Sequence, residues 1–351
     1  MDAAGLRYEA LARLGSSPHH KGRLRGSQGY YDELVPQTLL NFDRTRPVLL
    51  RKAGDKRVSL PNLTLHAPTS LDEASQTLAR YQGEARAIAG GTALVLMLRQ
   101  GLIRPPALVR LDRVRGLDSI SIEDGMLRIG ALATLRDVSA SPLVAQHVPV
   151  LAEACRLVAN VRVRNAATIG GNVCEADYAS DPPGVLVALD ARVRTRRGGA
   201  TRDVAVADLI TDFYENSLAP DELVSDVLVP IPPPDTRAVY LKFITRSAED
   251  RPCLGVTALV QLNSEGRIAD ARVAVGAVAG KPLRLPDVEA TAHGQQPSDE
   301  LFREIGRRYA ESVDPVGDVR GSTEYRKDMV AVFVRRALRA AGNGESGARK
   351  V

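Results

Sequence analysis

The sequence contains no tryptophan, and only 4% of its 351 residues are aromatic. A folded core must therefore be built mainly from Val, Leu, Ala and Ile. Cysteine is scarce as well: Cys155, Cys174 and Cys253 lie far apart and form no Cys-x-x-Cys pair. An iron–sulfur or structural zinc site needs about four closely placed ligands. The sequence therefore predicts no self-contained site of either kind, and its cysteine usage is typical of a reducing cytoplasm.

Long apolar runs and a dominant charge are also missing. No run is long enough to cross a bilayer, and the N-terminus lacks the basic start and apolar core of a secretory signal. We therefore predict a cytoplasmic protein without a membrane span. The formal net charge of +5 arises from 47 basic and 42 acidic residues. Neither zinc-finger spacing nor an RNP-like aromatic run accompanies this charge, so we predict no nucleic-acid partner.

Two common phosphate-binding motifs are absent from the expected places. Gly-Lys-Ser/Thr does not follow Gly90-Gly91 or Gly170-Gly171, the two glycine pairs described below, which excludes a Walker loop at either place. The string G-x-G-x-x-G does occur at Gly342, Gly344 and Gly347. It follows a predicted helix close to the last residue, with no room for a βαβ unit. We therefore predict that residues 343–351 form a flexible tail.

Two glycine-rich segments stand out instead: Ala89-Gly90-Gly91-Thr92-Ala93 and Thr168-Ile169-Gly170-Gly171-Asn172. Because glycine has no Cβ, such turns can present several backbone N–H groups to one anion. Two of them favour a ligand with two phosphates, or one phosphate and a long polar stem, between two lobes. A purely structural role for the turns is the alternative.

Polar side chains near these segments offer further hydrogen bonds to the predicted ligand. Thr92 is predicted to cap a helix over residues 93–100, and the Thr168 hydroxyl and Asn172 amide offer further hydrogen bonds. Asp181 can accept hydrogen bonds from sugar-like hydroxyls. Its alternative role is in a turn or helix cap before Pro182 and Pro183.

The chain divides into segments of different character. Residues 1–60 show weak periodicity, and we predict an extension with at most a short helix near residues 8–14. Regular alternation of strands and helices begins near residue 63. Four prolines in residues 230–234 mark a stiff linker. Alternating strands and two helices follow it, which indicates a mixed α/β region and then a smaller α+β domain.

Five ordered motifs carry a resemblance to a known family. They are Ala89-Gly90-Gly91-Thr92, Asn165 to Asn172 with Asp181, Phe213-Tyr214 with Leu218 and Pro220-Asp221-Glu222-Leu223, Tyr240-Leu241-Lys242-Phe243 with Arg246, and Asp318 to Ser322 with Tyr325-Arg326. The first two resemble the flavin-binding motifs of the molybdenum hydroxylase family. More narrowly, the chain resembles the separate FAD-binding medium subunit of carbon monoxide dehydrogenase and xanthine dehydrogenase-like enzymes. The resemblance covers about residues 61–342. Tyr178 departs from it, since the family commonly has proline there.

This resemblance implies an α+β protein with a two-subdomain FAD-binding fold of the vanillyl-alcohol oxidase/molybdopterin dehydrogenase (PCMH) type. The subdomains would cover about 61–115 and 116–236, and an α+β domain of the CO dehydrogenase flavoprotein type would cover 237–342. The pyrophosphate would lie on residues 89–93 and near Gly170-Gly171. Thr168, Asn172 and Asp181 would hold the ribityl chain and the ring-proximal part. Lys242 is also included among the cofactor-binding residues that the resemblance implies.

The resemblance further implies an electron-transfer role. Electrons would pass from a molybdopterin cofactor through two [2Fe-2S] clusters to FAD and then to an external acceptor. Small [2Fe-2S] and large molybdopterin-binding partner subunits would hold those centres, in a dimer of heterotrimers. No catalytic residue or metal ligand is assigned in this chain. The alternatives are a stand-alone flavin oxidase of the vanillyl-alcohol oxidase type and a non-catalytic assembly or ligand-binding protein that has lost flavin.

Overall fold

A computed structural model describes residues 63–247 and 250–350, together with the backbone of two short segments before them. These segments, β1 (Leu49–Arg51) and β2 (Arg57–Ser59), form an antiparallel pair. Only a short helix was predicted for this part of the chain, so the strand pair is a correction. The two strands pair through backbone hydrogen bonds, and such pairing does not require the apolar periodicity that residues 1–60 lack. The helix predicted near residues 8–14 lies outside the described residues.

The first subdomain is a small parallel sheet with two helices. Its elements in chain order are β3 (Thr64–His66), α1 (Leu71–Arg80), β4 (Arg86–Ile88), α2 (Leu94–Gln100) and β5 (Ala107–Arg110). The strand order is β3-β5-β4. α1 begins after its N-cap residue Ser70, whose hydroxyl accepts the N–H of Glu73. α2 ends at Gly101, whose φ of 73° lies in the left-handed region. The sheet thus delivers β4 directly into the first glycine-rich segment.

The second subdomain contains a five-stranded antiparallel sheet of order β6-β7-β12-β8-β9. Its first part comprises β6 (Ile120–Glu123), β7 (Met126–Gly130), α3 (Leu135–Ala140), α4 (Pro142–His147), α5 (Pro149–Arg156), α6 (Val161–Ala166), α7 (Ile169–Glu175) and α8 (Asp181–Ala188). Its second part comprises β8 (Arg192–Arg197), β9 (Ala200–Ala205), α9 (Val206–Leu209), β10 (Ile210–Asp212), β11 (Glu215–Asn216) and β12 (Leu223–Pro230). The helices pack on the sheet around a core of small aliphatic residues that includes Leu127, Ile129 and Leu186. This core accords with the scarcity of aromatic residues.

The C-terminal domain is a sheet covered by two long helices. It comprises β13 (Thr236–Phe243), β14 (Leu254–Leu262), β15 (Ile268–Gly276), α10 (Pro286–Glu289), a 3₁₀ helix (Ala290–Ala292), α11 (Asp299–Glu311), α12 (Thr323–Gly342) and β16 (Gly347–Lys350). Phe302, Tyr309 and Phe333 fill its core. β16 is parallel to β13 and completes the order β15-β14-β13-β16. The prediction of a flexible tail is therefore wrong, because a strand held by main-chain bonds does not need an apolar sequence.

Among the described residues, no helix has the length and apolar character that a bilayer crossing requires. The same part of the chain contains no group of three or more His, Cys, Asp or Glu side chains arranged to hold a metal ion.

Glu222 connects three segments of the second subdomain. Its carboxylate accepts hydrogen bonds from the Thr195 hydroxyl at 2.6 Å and from the Arg202 guanidinium at 2.7 and 2.8 Å. The N–H of Ala219 also donates to it. Burial alone would raise the pKa of Glu222, but these hydrogen bonds outweigh it and lower the pKa to about 2.

We predict that Glu222→Gln lowers the free energy of unfolding at pH 7 by about 1–3 kcal/mol, because it weakens these bonds. A depressed pKa contributes stability that is fully present above the unfolded-state pKa of about 4.3 and is lost as pH falls towards 2. The difference between wild type and variant should therefore shrink between about pH 4.5 and pH 2.5. Urea unfolding at pH 7, 4.5 and 3 measures this difference, with the exposed Glu265→Gln as control. A difference that does not change with pH would contradict the prediction.

Candidate functional site

The first glycine-rich segment is the loop between β4 and α2. Within the described part of the chain, the N–H groups of residues 90–93 donate no hydrogen bond to a protein acceptor. The predicted capping by Thr92 is wrong, because the N-cap residue is Ala93 and no side chain caps α2. Ala93 has a helical backbone (φ −88°, ψ −51°) instead of the extended one that side-chain capping requires. Four consecutive donors are consequently left for a ligand or water.

The second glycine-rich segment has a different structure. It is the first turn of α7, and Thr168 is its N-cap, with the Thr168 hydroxyl accepting the N–H of Gly171 at 3.1 Å. The N–H of Gly170 donates to the carbonyl of Ala131 at 3.0 Å. The expectation of two equivalent turns with open donors is therefore wrong for this segment, because the helix and its cap already use these N–H groups. The glycines serve close packing instead, since a Cβ on Gly170 would lie 2.6 Å from the Cβ of Ala131.

The two segments meet at a backbone contact. A Cβ on Gly90 would lie 1.7 Å from the carbonyl oxygen of Ala166, and one on Gly171 would lie 4.0 Å from the Cβ of Ala89. The fold therefore brings together the two motifs that lie about eighty residues apart, as predicted. Gly91 has a φ of 70°, and a Cβ there would point at Val95 and Ile88, inside the subdomain. Gly90 is required by the contact between subdomains, and Gly91 by its backbone conformation.

Asn172 lies beside the first glycine-rich segment and holds the loop after α7. The Asn172 amide donates to the Ser180 hydroxyl at 2.8 Å, and that hydroxyl lies 3.1 Å from the Asn172 carbonyl oxygen. This pair closes the loop 173–179. Asn172 and Gly171 are not fully buried, so both remain accessible beside Ala89. Thr168 is buried and positions α7.

Asp181 and Lys242 lie together at the interface between the second subdomain and the C-terminal domain. Asp181 is 4% exposed and Lys242 is fully buried. The Lys242 ammonium donates to Asp181 at 2.8 Å and to the carbonyl of Leu157 at 2.9 Å, and the Tyr240 hydroxyl donates to the other Asp181 oxygen at 2.6 Å. Burial and the Asp181 charge raise the pKa of Tyr240 well above its usual value, so the hydroxyl stays a donor. Direct contact of Asp181 or Lys242 with a cofactor stays a prediction; their observed role is to join the two domains.

Sequence reasoning did not identify a second polar cluster at the same interface. The Tyr178 ring packs edge-on against Phe213 and Tyr214, with centroids 5.0 and 6.2 Å away. Arg320 of the C-terminal domain donates to the Tyr178 hydroxyl at 2.8 Å. Arg251 pairs with Asp177 at 2.9 Å. The available signals were Tyr178, at a position where the family commonly has proline, and the family-like motifs that contain Phe213-Tyr214 and Arg320.

The rim of the interface carries exposed ion pairs. Asp190, which follows α8, pairs with Arg272 and Arg284 of the C-terminal domain. The side chain of Asp190 is 54% exposed. Pairs of this kind contribute little stability, because water competes for both partners. The interface therefore has a buried charged centre and a solvated charged rim.

The comparisons with known proteins agree with this geometry. Residues 61–232 match the FAD binding domain in molybdopterin dehydrogenase, and residues 239–341 match the CO dehydrogenase flavoprotein C-terminal domain. The chain is 32% identical over 285 residues to the nicotine 6-hydroxylase medium subunit of Paenarthrobacter nicotinovorans, spanning 81% of this chain and 99% of that protein. It is 29% identical to the carbon monoxide dehydrogenase medium chain of Hydrogenophaga pseudoflava, over 80% and 97% of the two chains.

Solved structures agree. Quinoline 2-oxidoreductase from Pseudomonas putida 86 matches with a TM-score of 0.76 at 28% identity, over 81% of this chain and 98% of that one. CO dehydrogenase from Oligotropha carboxidovorans matches with a TM-score of 0.77 at 27% identity, over 80% and 97%. The chain belongs to the family of FAD-binding medium subunits of molybdenum hydroxylases. The predicted family, fold class and FAD cofactor are confirmed, and neither the stand-alone oxidase nor the flavin-free protein is favoured.

We predict that Gly90→Ala separates the two glycine-rich segments, because its methyl group cannot coexist with the Ala166 carbonyl in the present geometry. Displacement of backbone should lower the free energy of unfolding by about 1–3 kcal/mol. Gly184→Ala, in α8, is the matched control, since a Cβ there meets no atom within 4 Å. Thermal unfolding of the flavin-free proteins measures both, and equal stability of the two variants would contradict the prediction.

We predict that Lys242→Met destabilises the flavin-free protein by about 3–5 kcal/mol, because it leaves the Asp181 carboxylate buried without its cationic partner. The double variant Asp181→Asn/Lys242→Met should recover about half of this loss or more, since it removes the uncompensated charge. Arg272→Met, at the exposed rim, is the control and should cost less than about 1 kcal/mol. Urea unfolding gives the three values; a double variant no more stable than Lys242→Met would contradict a coupled buried pair.

Proposed function

We propose that this chain holds FAD between the two subdomains of its FAD-binding domain, with the pyrophosphate on the loop of residues 89–93 and the ring-proximal part towards Asp181, at the interface with the C-terminal domain. The observation that carries the proposal is the run of four consecutive backbone donors without a protein acceptor. Successive backbone N–H groups left open by a glycine-rich turn can bind phosphate without a lysine. The match of residues 61–232 to an FAD-binding domain supports the assignment.

The surrounding residues define the rest of the proposed site. Gly90 and Ala89 bring the loop of residues 89–93 against α7, where Gly171 and Asn172 lie beside it. Gly170 and Thr168 hold α7 in place, so their contribution is to position this surface of α7. Bound FAD supplies the electron-transfer chemistry through its isoalloxazine ring, and the protein supplies binding and orientation. No side chain of this chain is required as a general acid or base.

The proposal includes a heteromeric complex. Relatives are named as medium subunits, which implies small and large partners. We propose that the small partner carries the [2Fe-2S] clusters and the large partner the molybdopterin cofactor, in a cytoplasmic dimer of heterotrimers. FAD in this chain then passes the electrons to an external acceptor. The three separated cysteines of this sequence agree with clusters held elsewhere.

A charge placed on the phosphate loop tests the proposed FAD site. Thr92→Glu puts a carboxylate beside the pyrophosphate and should weaken FAD binding roughly tenfold to a hundredfold, whereas the isosteric Thr92→Gln should bind nearly as wild type. The flavin-free Thr92→Glu protein should not lose stability, because an acidic residue at the start of α2 favours the helix dipole. Titration of flavin-free protein with FAD, followed by flavin fluorescence, measures the affinities. Equal affinities of the two variants would place the pyrophosphate elsewhere.

The purified protein gives an independent test. The chain alone should carry a releasable flavin with its visible absorption, without iron or molybdenum. With its partners it should copurify with a cysteine-rich small subunit and a large molybdopterin subunit. A folded chain that never takes up FAD would refute the proposal.

A further inference from the structure

The last strand of the chain lies outside the matched family domains. The second domain match ends at residue 341, whereas β16 covers Gly347–Lys350. β16 runs parallel to β13, with Val239 opposite Gly347 and Lys242 opposite Lys350. It therefore covers an edge of β13 that would otherwise present unpaired N–H and C=O groups.

The turn before β16 is held by defined hydrogen bonds. The N–H of Gly344 donates to the carbonyl of Ala341, and that of Glu345 donates to the carbonyl of Ala340, both at 3.0 Å. The N–H of Ala238 donates to the Ser346 hydroxyl at 3.4 Å. The chain thus turns back directly after α12 and enters the sheet at the start of β13.

β16 also contacts the FAD-binding domain. Gly347 is buried against Glu153 of α5, and a Cβ on Gly347 would lie 2.6 Å from the Glu153 carboxylate. The φ of Gly347 is 122°, which favours glycine. The strand is therefore fixed from two sides: by main-chain pairing to the C-terminal domain and by close packing on α5.

These contacts lie beside the buried ion pair. Lys242 is opposite Lys350 in the sheet, and its ammonium reaches Asp181 and the carbonyl of Leu157, the residue that follows α5. β13, the end of α5 and β16 consequently meet at one place on the domain interface. Separation of the two domains there requires both the ion pair and the packing of β16 on α5 to break.

We infer that residues 346–350 act as a β-strand latch that holds the C-terminal domain against the FAD-binding domain and so slows the release of FAD. The part concerning FAD rests on the proposed function, in which the ring-proximal part of the cofactor lies towards Asp181, at the interface of these domains. The latch is a positioning element and contributes no group to the chemistry. Its contacts with both sides of the interface carry the inference.

Deletion of residues 344–351 tests the latch. Because the matched domains end before this segment, the shortened protein should fold. Hydrogen exchange of the amides in Val239–Lys242 should become faster by about tenfold or more, since the edge of β13 loses its partner. FAD should leave the shortened protein about fivefold to tenfold faster, which corresponds to about 1 kcal/mol. A synthetic peptide of residues 343–351, added in excess, should restore slow exchange and slow release.

Two point variants complete the test. Gly347→Val should reproduce the deletion, because a φ of 122° strains a residue with a branched side chain and the added side chain must also displace the Glu153 carboxylate. Glu345→Gln, which alters only an exposed pair with Arg349, should match wild type in both measurements.

The two measurements separate the latch from the cofactor assignment. Hydrogen exchange is measured on flavin-free protein, so unchanged exchange after deletion overturns the latch whether or not FAD binds. Faster exchange with an unchanged rate of FAD release overturns the claim that the latch slows the release of FAD. A full-length protein that binds no FAD refutes the proposed function and leaves the exchange result to decide on the latch.

Discussion

One backbone contact organises the FAD-binding domain: the Cα of Gly90 lies directly against the carbonyl of Ala166. No residue with a side chain fits there, so the loop after β4 and the segment before α7 can approach as closely as backbones allow. The contact holds the open donors of residues 90–93 next to Gly171 and Asn172. The parallel sheet, the antiparallel sheet and the helices between them all serve to place these two segments together.

The sequence was informative where local chemistry decides the structure. Ser70 and Gly101 mark helix ends through interactions within a few residues, so both could be predicted. The two glycine-rich segments by themselves predicted a shared ligand between two lobes, and the family resemblance identified that ligand as FAD. Their different structures could not be predicted, because a Gly-Gly pair is compatible with a loop or with the first turn of a helix. Thr168 was the available signal, since threonine favours N-cap positions.

Long-range contacts account for what sequence reasoning missed. Asp181 was correctly associated with a possible helix start, but its partners Tyr240 and Lys242 lie about sixty residues away on another domain. The tail strand illustrates the same limit. Gly347 and its neighbours lack strand-like alternation, yet the open edge of β13 supplies main-chain partners that no local pattern records. The contacts made by Tyr178, Arg320 and Arg251 likewise form only where the two domains meet, so no local sequence pattern predicts them.

The division of the interface into a buried centre and a solvated rim determines its response to ionic strength. Dissolved ions screen the pairs of Asp190 with Arg272 and Arg284, because these side chains are partly exposed to solvent. They have little access to the Asp181–Lys242 pair, which is enclosed by protein. Added salt therefore weakens the peripheral ion pairs, whereas the buried pair continues to hold the two domains together.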